Sequence, residues 1–252
     1  MAMMNLFRLL CLALGALTLG LAHAAEVSVA VAANFTAPMQ KIAGAFERDT
    51  GHKALLAFGS TGKFYAQIRN GAPFQLLLAA DDETPARLEK EGLAVPGMRF
   101  AYATGRLVLW SSQQGLVDDK CKVLRSSSAG HIALADPKLA PYGAAAVETM
   151  TRLGLLPSLQ PRFVQGESIA QAYQFVATGN APMGFVALSQ VMVDGQITKG
   201  SAWVVPASLH APLRQEAVVL NPGKDQPAAL ALANYLRGDK ARAIIRSYGY
   251  EF

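Results

Sequence analysis

The stretch "VSVAVAANFTAPMQKIAGAFERDTG" (residues 27–51) joins a strand pattern directly to a helix pattern. Its first seven residues are Val, Ala and one Ser, which favours a short buried strand. Residues 36–51 have helical spacing, with Thr36 as the expected N-cap, Pro38 in the first turn and Gly51 at the end. A strand that leads straight into a helix is the repeating unit of α/β proteins.

The same unit recurs along the chain. It returns as "KALLAF" with "TGKFYAQIRNG", and as "FQLLLAA" with "DETPARLEKEG". Further strands are predicted at "RLVLWSS", "HIALAD", "MGFVAL" and "EAVVL", and further helices at about 143–153, 168–178 and 226–247. The sequence therefore predicts an α/β fold.

The order of these units predicts two lobes. We expect residues 25–105 together with 212–252 to form lobe 1, and residues 106–211 to form lobe 2, because the last helix has no strand partner in the second set. A chain that crosses twice between lobes forms a cleft, and clefts are where small ligands bind.

The first 24 residues predict a signal peptide. "MAMMNLFRLLCLALGALTLGLAHA" has one positive charge, an apolar run and a small-x-small ending, so we expect cleavage after Ala24. A lipid anchor on Cys11 is not favoured, because Leu10 precedes it where a small residue is needed. The sequence predicts a mature protein that begins at Ala25 and is soluble in the periplasm.

Composition excludes several classes of protein. The net charge of the chain is +5, and the basic residues are scattered without a stripe or run, so nucleic-acid binding is not expected. Once Cys11 is removed, Cys121 is the sole cysteine, so no disulfide can form within the chain. Stability has to come from an ordinary apolar core.

The loop "GSTGK" at residues 59–63 looks at first like a nucleotide site. A P-loop needs a glycine five residues before its Gly-Lys pair and Ser or Thr directly after the lysine. Here Ala57 and Phe64 occupy these two positions. The loop predicts an ordinary helix start or an anion site, and excludes a P-loop.

Catalytic candidates are weak. The three histidines of the mature chain have no metal-ligand spacing, and we expect surface or packing roles for them: His52, His131 and His210. There is no G-x-S-x-G motif. Asp81 and Asp82 are predicted to cap a helix, and Cys121 lies between two lysines without a partner base. The sequence favours a binding protein over an enzyme.

Small or amide side chains recur where a strand gives way to a helix. The four junctions, two in each predicted lobe, are Ala33-Asn34, Ser60-Thr61, Tyr142-Gly143 and Ser168-Ile169. Main-chain N–H groups at helix N-termini attract negative charge. Together these junctions predict a ring of neutral donors around a small anion.

Several segments carry a family resemblance. "VAVAANFTAPM", "GSTGKFYAQIRNGAPF", "AADDETPARLEKEG", "YATGRLVLWS", "ALADPKLAPYGAAA" and "MGFVALSQ" resemble the periplasmic molybdate-binding proteins of bacterial ABC importers, in the same order over essentially the whole mature chain. The resemblance implies a two-lobed α/β periplasmic binding protein of type II, with molybdate or tungstate in the interlobe cleft. It also implies no cofactor and no enzymatic activity. The implied partner is the membrane permease of an ABC importer, and we expect a monomer.

The resemblance also implies a ligand set. Its members are Ala33 through main chain, the side chain of Asn34, the hydroxyl of Thr61 with Ser60 beside it, and main-chain donors at Tyr142 and Ile169. Molybdenum is then held through its oxygens, with no direct metal ligand. Some relatives have a tyrosine where this chain has Ala187, so one hydrogen bond is lost or supplied by the Asn34 amide. On the same pattern Lys63 is a helix residue and not a ligand.

A ring of donors without an acceptor favours fully deprotonated oxyanions over phosphate, which keeps a proton at neutral pH. Sulfate has the charge and shape of molybdate, so only size separates the two. Two alternatives to a molybdate binder stay open: a sulfate or thiosulfate binder, and an extracytoplasmic enzyme on the same scaffold.

Overall fold

A computed structural model of the protein describes residues 24–126, 130–197 and 199–252. The predicted signal peptide (residues 1–24), with Cys11, lies outside the described residues except for Ala24. Within the described ranges, no helix is both long and apolar enough to cross a membrane.

The first sheet contains the strand that opens the mature chain. Within the described residues it has five strands in the order β2-β1-β3-β12-β4. They are β1 (Glu26–Ala32), β2 (Lys53–Gly59), β3 (Leu76–Leu78), β4 (Ala94–Gly105) and β12 (Leu213–Leu220). β1 pairs in parallel with β2 and β3, whereas β12 runs antiparallel to β3 and β4. The carboxyl ends of β1, β2 and β3 therefore meet at one edge.

The second sheet is built from the middle of the chain. In the part of the chain described, its order is β11-β5-β8-β6-β7. These strands are β5 (Leu107–Ser111), β6 (Ile132–Ala135), β7 (Phe163–Gly166), β8 (Met183–Ala187) and β11 (Ser201–Val204). β6 is parallel to β7 and β8, and β5 is antiparallel to β8 and β11. A two-stranded hairpin, β9 (Met192–Val193) with β10 (Gln196–Ile197), follows β8.

Helices connect and cover the strands. The α-helices are α1 (Thr36–Thr50), α2 (Thr61–Arg69), α3 (Glu83–Lys90), α4 (Pro141–Arg152), α5 (Leu156–Leu159), α6 (Ile169–Ala177), α7 (Leu188–Val191), α8 (Pro227–Arg237) and α9 (Asp239–Ser247). Short 3-10 turns cover Ala33–Phe35, Lys122–Arg125, Gln160–Arg162, Ala207–Leu209 and Asn221–Gly223. The predicted α/β class is confirmed.

Each sheet carries a core of its own. In the first lobe, alternate valines of β1 pack with Met39, Ile42 and Phe46 of α1. The C-terminal helices α8 and α9 contribute to the same core, which returns the end of the chain to the first lobe. In the second lobe, strand residues pack with α4 and α6. Most of the buried apolar residues are divided between the lobes in this way, although the cluster of the second lobe also includes Ala32, Ala33 and Ala80 of the first.

The chain passes between the sheets at two places. β4 ends in the first sheet at Gly105 and β5 begins in the second at Leu107. The return lies between β11, which ends at Val204, and β12, which begins at Leu213. The assignment of these strands to the two sheets supports lobe boundaries at 105/106 and 211/212. The exact boundaries stay a prediction.

Two expected details differ in the structure. Thr36 is not an N-cap: the 3-10 turn Ala33–Phe35 runs into α1, and the Thr36 hydroxyl donates to the Ala33 carbonyl at 2.9 Å. The helix predicted at 226–247 is two helices, because Gly238 has extended backbone angles (φ −77°, ψ 160°) between α8 and α9. The earlier start before α1 matters for the site, since it places Asn34 in a helical turn.

Candidate functional site

A small cavity lies where the carboxyl edge of the first sheet meets the second lobe. Its lining residues are Ala32, Ala33, Asn34, Gly59, Ser60, Thr61, Ala80, Ala140, Pro141, Tyr142 and Ile169. Its open centre is about 10 Å³, roughly the room that one water-sized sphere needs. Ligands of open α/β sheets bind at this edge, beside helix N-termini.

All six residues predicted for the site line this one cavity. They are Ala33, Asn34, Ser60, Thr61, Tyr142 and Ile169, and each is buried. Asn34, Ser60 and Thr61 are polar side chains in a part of the protein where nearly everything else is apolar. Buried polar groups need partners, so their hydrogen bonds indicate what the cavity can hold.

The Ser60 hydroxyl is the group that points most clearly to a ligand. Its oxygen is buried and has no hydrogen-bond partner among the described residues. Leaving such a group unpaired costs about 1–3 kcal/mol. Because Ser60 lines the cavity, a polar molecule bound there would restore the missing hydrogen bond.

The Thr61 hydroxyl uses only part of its hydrogen-bonding capacity within the protein. Its oxygen accepts a hydrogen bond from the main-chain N–H of Ala80 at 3.0 Å. A hydroxyl has one proton to donate and two lone pairs to accept with. The proton of Thr61 is therefore left to donate to an acceptor in the cavity.

Helix starts surround the cavity from both lobes. α2 begins at Thr61, α4 at Pro141 and α6 at Ile169, and the 3-10 turn before α1 begins at Ala33. The first N–H groups of a helix have no acceptor within it and attract anions. Pro141 has no N–H, so Tyr142 supplies the first donor of α4. In α6, the Ser168 hydroxyl caps the N–H of Gln171 and leaves that of Ile169 unoccupied.

Asn34 has a different role from the one expected. Its side-chain Nδ2 donates to Gln215 Oε1 and to the Tyr250 hydroxyl, both at 2.9 Å. The main-chain carbonyl oxygen of Asn34 accepts hydrogen bonds from the hydroxyls of Ser189 and Tyr250, both at 2.8 Å. Both amide hydrogens are therefore committed behind the cavity, which leaves the main-chain N–H as the donor of Asn34 toward it.

Sequence reasoning missed this buried network. Gln215 accepts from Asn34 and from the Tyr102 hydroxyl at 2.9 Å, and donates to the Tyr142 hydroxyl at 3.1 Å. Burial is the main cause that raises the pKa of Tyr250 to about 12 and the pKa values of Tyr102 and Tyr142 well above their usual range. One signal was available: Gln215 is a polar residue on the buried face of β12, in step with Leu213, Ala217 and Val219.

The residues that line the cavity include no charged side chain. Lys63, two residues after Thr61, instead forms an exposed ion pair with Glu167 of the second lobe, with Nζ and Oε2 2.9 Å apart. Asp81 accepts hydrogen bonds from the N–H and hydroxyl of Thr84, as expected of a capping residue. Burial raises the pKa of Asp81, which lines a wider groove of about 770 Å³ next to the cavity.

Several contacts hold the lobes together around the cavity. Gly62 N–H donates to the Leu139 carbonyl at 2.9 Å, and the Lys63–Glu167 pair lies beside it. Across the described residues, no cluster of three or more His, Cys, Asp or Glu side chains could hold a metal ion. The arrangement is a closed cleft with uncharged donors, and it suits a small, fully deprotonated anion.

Comparisons with known proteins place the chain in a family. The family model of the bacterial extracellular solute-binding proteins matches residues 27–251. The chain belongs to this family. It is 60% identical over 242 residues to the molybdate-binding protein ModA of Azotobacter vinelandii, covering 96% of both chains. It is 51% identical to ModA of Rhodobacter capsulatus, covering 93% of both.

Solved structures of other proteins show the same fold. The periplasmic molybdate-binding protein of Azotobacter vinelandii matches with a TM-score of 0.87 at 42% identity, over 90% of this chain and 99% of that one. The sulfate-binding protein SubI of Mycobacterium tuberculosis matches with a TM-score of 0.72 at 13% identity, a likeness of fold alone. The predicted two-lobed binding-protein fold is confirmed, and the relatives are named as binding proteins, as predicted, and not as enzymes.

Proposed function

We propose that this protein captures molybdate, and tungstate with it, in the cavity between its lobes. The observation that carries the proposal is the buried Ser60 hydroxyl without a partner, in a cavity that no charged side chain lines. The likeness to ModA proteins over nearly the full chain supports molybdate as the anion.

In this proposal the protein touches only the oxygens of the anion. Ser60 and Thr61 donate through their hydroxyls, and Asn34, Tyr142 and Ile169 through main-chain N–H groups. Ala33 lines the wall beside them. The helix N-termini offset the two negative charges, so no lysine or arginine is needed. Molybdenum has no ligand from the protein.

Selectivity follows from two properties of such a cavity. A protonated oxyanion needs an acceptor, so donors alone disfavour phosphate at neutral pH. If the donors are spaced for molybdate, the smaller sulfate leaves some of them unpaired, and each unpaired donor costs about 1–3 kcal/mol. Tungstate has nearly the size of molybdate, so we expect similar affinity for both.

The closed cleft suits delivery to a membrane importer. A bound anion that bridges both lobes stabilises the closed form relative to the open one. We infer that the closed protein, a monomer in the periplasm, presents the anion to the permease of an ABC importer. Scattering should then report a more compact particle with molybdate, and the melting temperature should rise in the order of affinity.

Calorimetric titration of the mature chain from Ala25 tests the assignment. We expect tight binding of sodium molybdate and tungstate, sulfate weaker by roughly a hundredfold, and no measurable heat from phosphate. Sulfate binding as tight as molybdate would make the protein a sulfate-type binder. Equal binding of phosphate, or no heat from any of the four anions, would refute the donor cavity as proposed.

A further inference from the structure

Gln215 joins the two lobes behind the cavity. Its side chain is fully buried on β12. Oε1 accepts from Asn34 Nδ2 and from the Tyr102 hydroxyl, and Nε2 donates to the Tyr142 hydroxyl. Asn34 belongs to the turn before α1 in the first lobe, and Tyr142 to the first turn of α4 in the second. One amide therefore ties two turns that both contribute residues to the lining of the cavity.

The space around this contact is built for it. A Cβ placed on Gly105 would overlap with the Tyr142 hydroxyl and with Gln215 Nε2. The backbone angle φ of Gly105 is not positive, so space and not backbone conformation requires glycine here. Gly105 lies at the end of β4, where the chain passes toward the second lobe. The absence of a side chain there lets the Tyr142 hydroxyl reach Gln215.

Tyr250 holds the other side of Asn34. Its hydroxyl accepts from Asn34 Nδ2 and donates to the Asn34 carbonyl at 2.8 Å, and it lies 3.0 Å from the Ser189 hydroxyl. Ser189 follows β8 in the second lobe and donates to the same carbonyl. The turn that carries Asn34 is thus fixed at its side chain and at its main chain, by residues of both lobes.

We propose that Gln215 and Tyr250 are positioning residues that set the spacing between the donors of the two lobes, and so set which size of oxyanion fits. This inference rests on the proposed function. A donor ring of fixed width penalises an anion that is too small, whereas a ring that can relax penalises it less. Loss of the network should therefore reduce discrimination between molybdate and sulfate, and not only overall affinity.

The test compares Gln215→Met with Tyr142→Phe and with the double variant. Methionine keeps the length and buried bulk of glutamine and removes its hydrogen bonds. We expect Gln215→Met to bind sodium molybdate roughly tenfold more weakly, with the ratio of sulfate Kd to molybdate Kd falling by a similar factor. Because Tyr142→Phe removes the partner of the same hydrogen bond, the effects of the two changes should be less than additive in the double variant.

Matched controls separate this role from general stability. Gln75 Oε1 accepts one hydrogen bond from Ser28 N–H within the first sheet, away from the cavity. Gln75→Met should lower the melting temperature of the ligand-free protein without changing the Kd ratio. Tyr235→Phe removes a hydroxyl that donates to Asp49 on the outer surface of the first lobe, and serves the same purpose for tyrosine.

The outcomes are distinct. An unchanged Kd ratio in Gln215→Met, with the wild type selective, overturns the positioning role and leaves the proposed function intact. If Gln215→Met does not fold, Tyr250→Phe carries the same test, because it removes one hydroxyl and keeps the ring against Phe35. A wild type that binds sulfate as tightly as molybdate defeats the proposed function. The positioning role is then judged by whether the variants change the sulfate-to-molybdate ratio.

Discussion

The main-chain N–H of Gly62, in the first turn of α2, donates a hydrogen bond to the carbonyl of Leu139 in the second lobe, 2.9 Å away. A Cβ on Gly62 would lie 3.0 Å from that carbonyl oxygen and 3.1 Å from the Leu139 Cα. Both are backbone atoms, which cannot turn aside as a side chain can. The lobes therefore approach here closely enough that glycine is needed for full closure.

Gly62→Ala should hinder closure of the cleft. The lobes would have to separate by a few tenths of an ångström, which lengthens the hydrogen bonds to an anion held between them. We expect molybdate binding to weaken by roughly tenfold, or about 1.4 kcal/mol, in calorimetry. The melting temperature of the ligand-free protein should change little.

The control for Gly62→Ala is Gly44→Ala in α1. A Cβ on Gly44 would contact only the end of the Arg48 side chain, at 3.5 Å. Gly44→Ala should raise the free energy of unfolding by about 0.5–1 kcal/mol, because alanine has a higher helix propensity than glycine. Affinity should stay the same. Equal affinities for Gly62→Ala and the wild type would show that the contact does not control closure.

Ser60→Ala should separate affinity from stability. In the closed cleft the hydroxyl is buried without a partner among the described residues, so its removal should cost the protein little or no stability. A hydrogen bond to a charged group is worth about 1.5–3 kcal/mol, so molybdate affinity should fall by roughly ten- to a hundredfold. Ser158→Ala, which removes an exposed hydroxyl bonded to the Leu155 carbonyl, is the control for affinity.

Thr61→Ala should lower both molybdate affinity and stability, because the Thr61 hydroxyl also accepts a hydrogen bond from the Ala80 N–H. We expect a fall in affinity similar to that of Ser60→Ala, together with a lower melting temperature. A Thr61→Ala protein that binds molybdate as the wild type does would remove Thr61 from the donor set.

Lys63→Ala should change molybdate affinity little. Lys63 and Glu167 are mostly exposed, and exposed ion pairs are worth about 0.2–1 kcal/mol, which corresponds to fivefold or less. Because the pair joins the lobes, the loss of molybdate affinity should be largest at low salt. In a protein that already carries Glu167→Ala, the further change Lys63→Ala should have no effect on affinity. Lys53→Ala, which breaks a pair with Glu26 inside the first lobe, is the control. Abolished binding in Lys63→Ala would refute the neutral-donor site.

Binding should not depend on tyrosine ionisation below about pH 10. Burial is the main cause that raises the pKa of Tyr250 to about 12, and it raises the pKa values of Tyr102 and Tyr142 well above their usual range. Their hydroxyls stay protonated past the pH at which an exposed tyrosine, with a pKa of about 10, loses its proton. Calorimetry from pH 7 to pH 10 should give a constant Kd. A loss of affinity with a midpoint near pH 9 would contradict this account.

The sequence predicted most of the strands and helices that carry the site. The periodic apolar runs are local signals, and so are the small residues at the junctions near Asn34, Thr61, Tyr142 and Ile169. β4 was missed because Pro96 and Gly97 interrupt the alternating pattern of a strand. In the structure β4 nevertheless continues to Gly105, and its pairing with β12 contains two shifts of register. β7 and β11 were missed as well, because they are edge strands whose residues are mostly half-buried, unlike the equally short but fully buried β3 and β6.

The network behind the site was beyond sequence reasoning for a different reason. Asn34 meets Gln215 and Tyr250 across separations of 181 and 216 residues. No local pattern encodes such a contact, and the side chain of Asn34 was instead assigned to the ligand. The helix predicted across Gly238 was wrong because the helical spacing of residues 227–247 gives no sign that the backbone becomes extended at one glycine.

The central claim is that the cavity at Ser60 and Thr61 holds molybdate through its oxygens. Crystals grown with sodium molybdate and measured at the molybdenum absorption edge test it most directly, because the anomalous signal locates the metal. The account predicts one strong peak inside the cavity, with the hydroxyl oxygens of Ser60 and Thr61 at hydrogen-bond distance from the oxygens around it. A peak in the groove beside Asp81 instead, or no peak in protein that calorimetry shows to be saturated, would contradict the account.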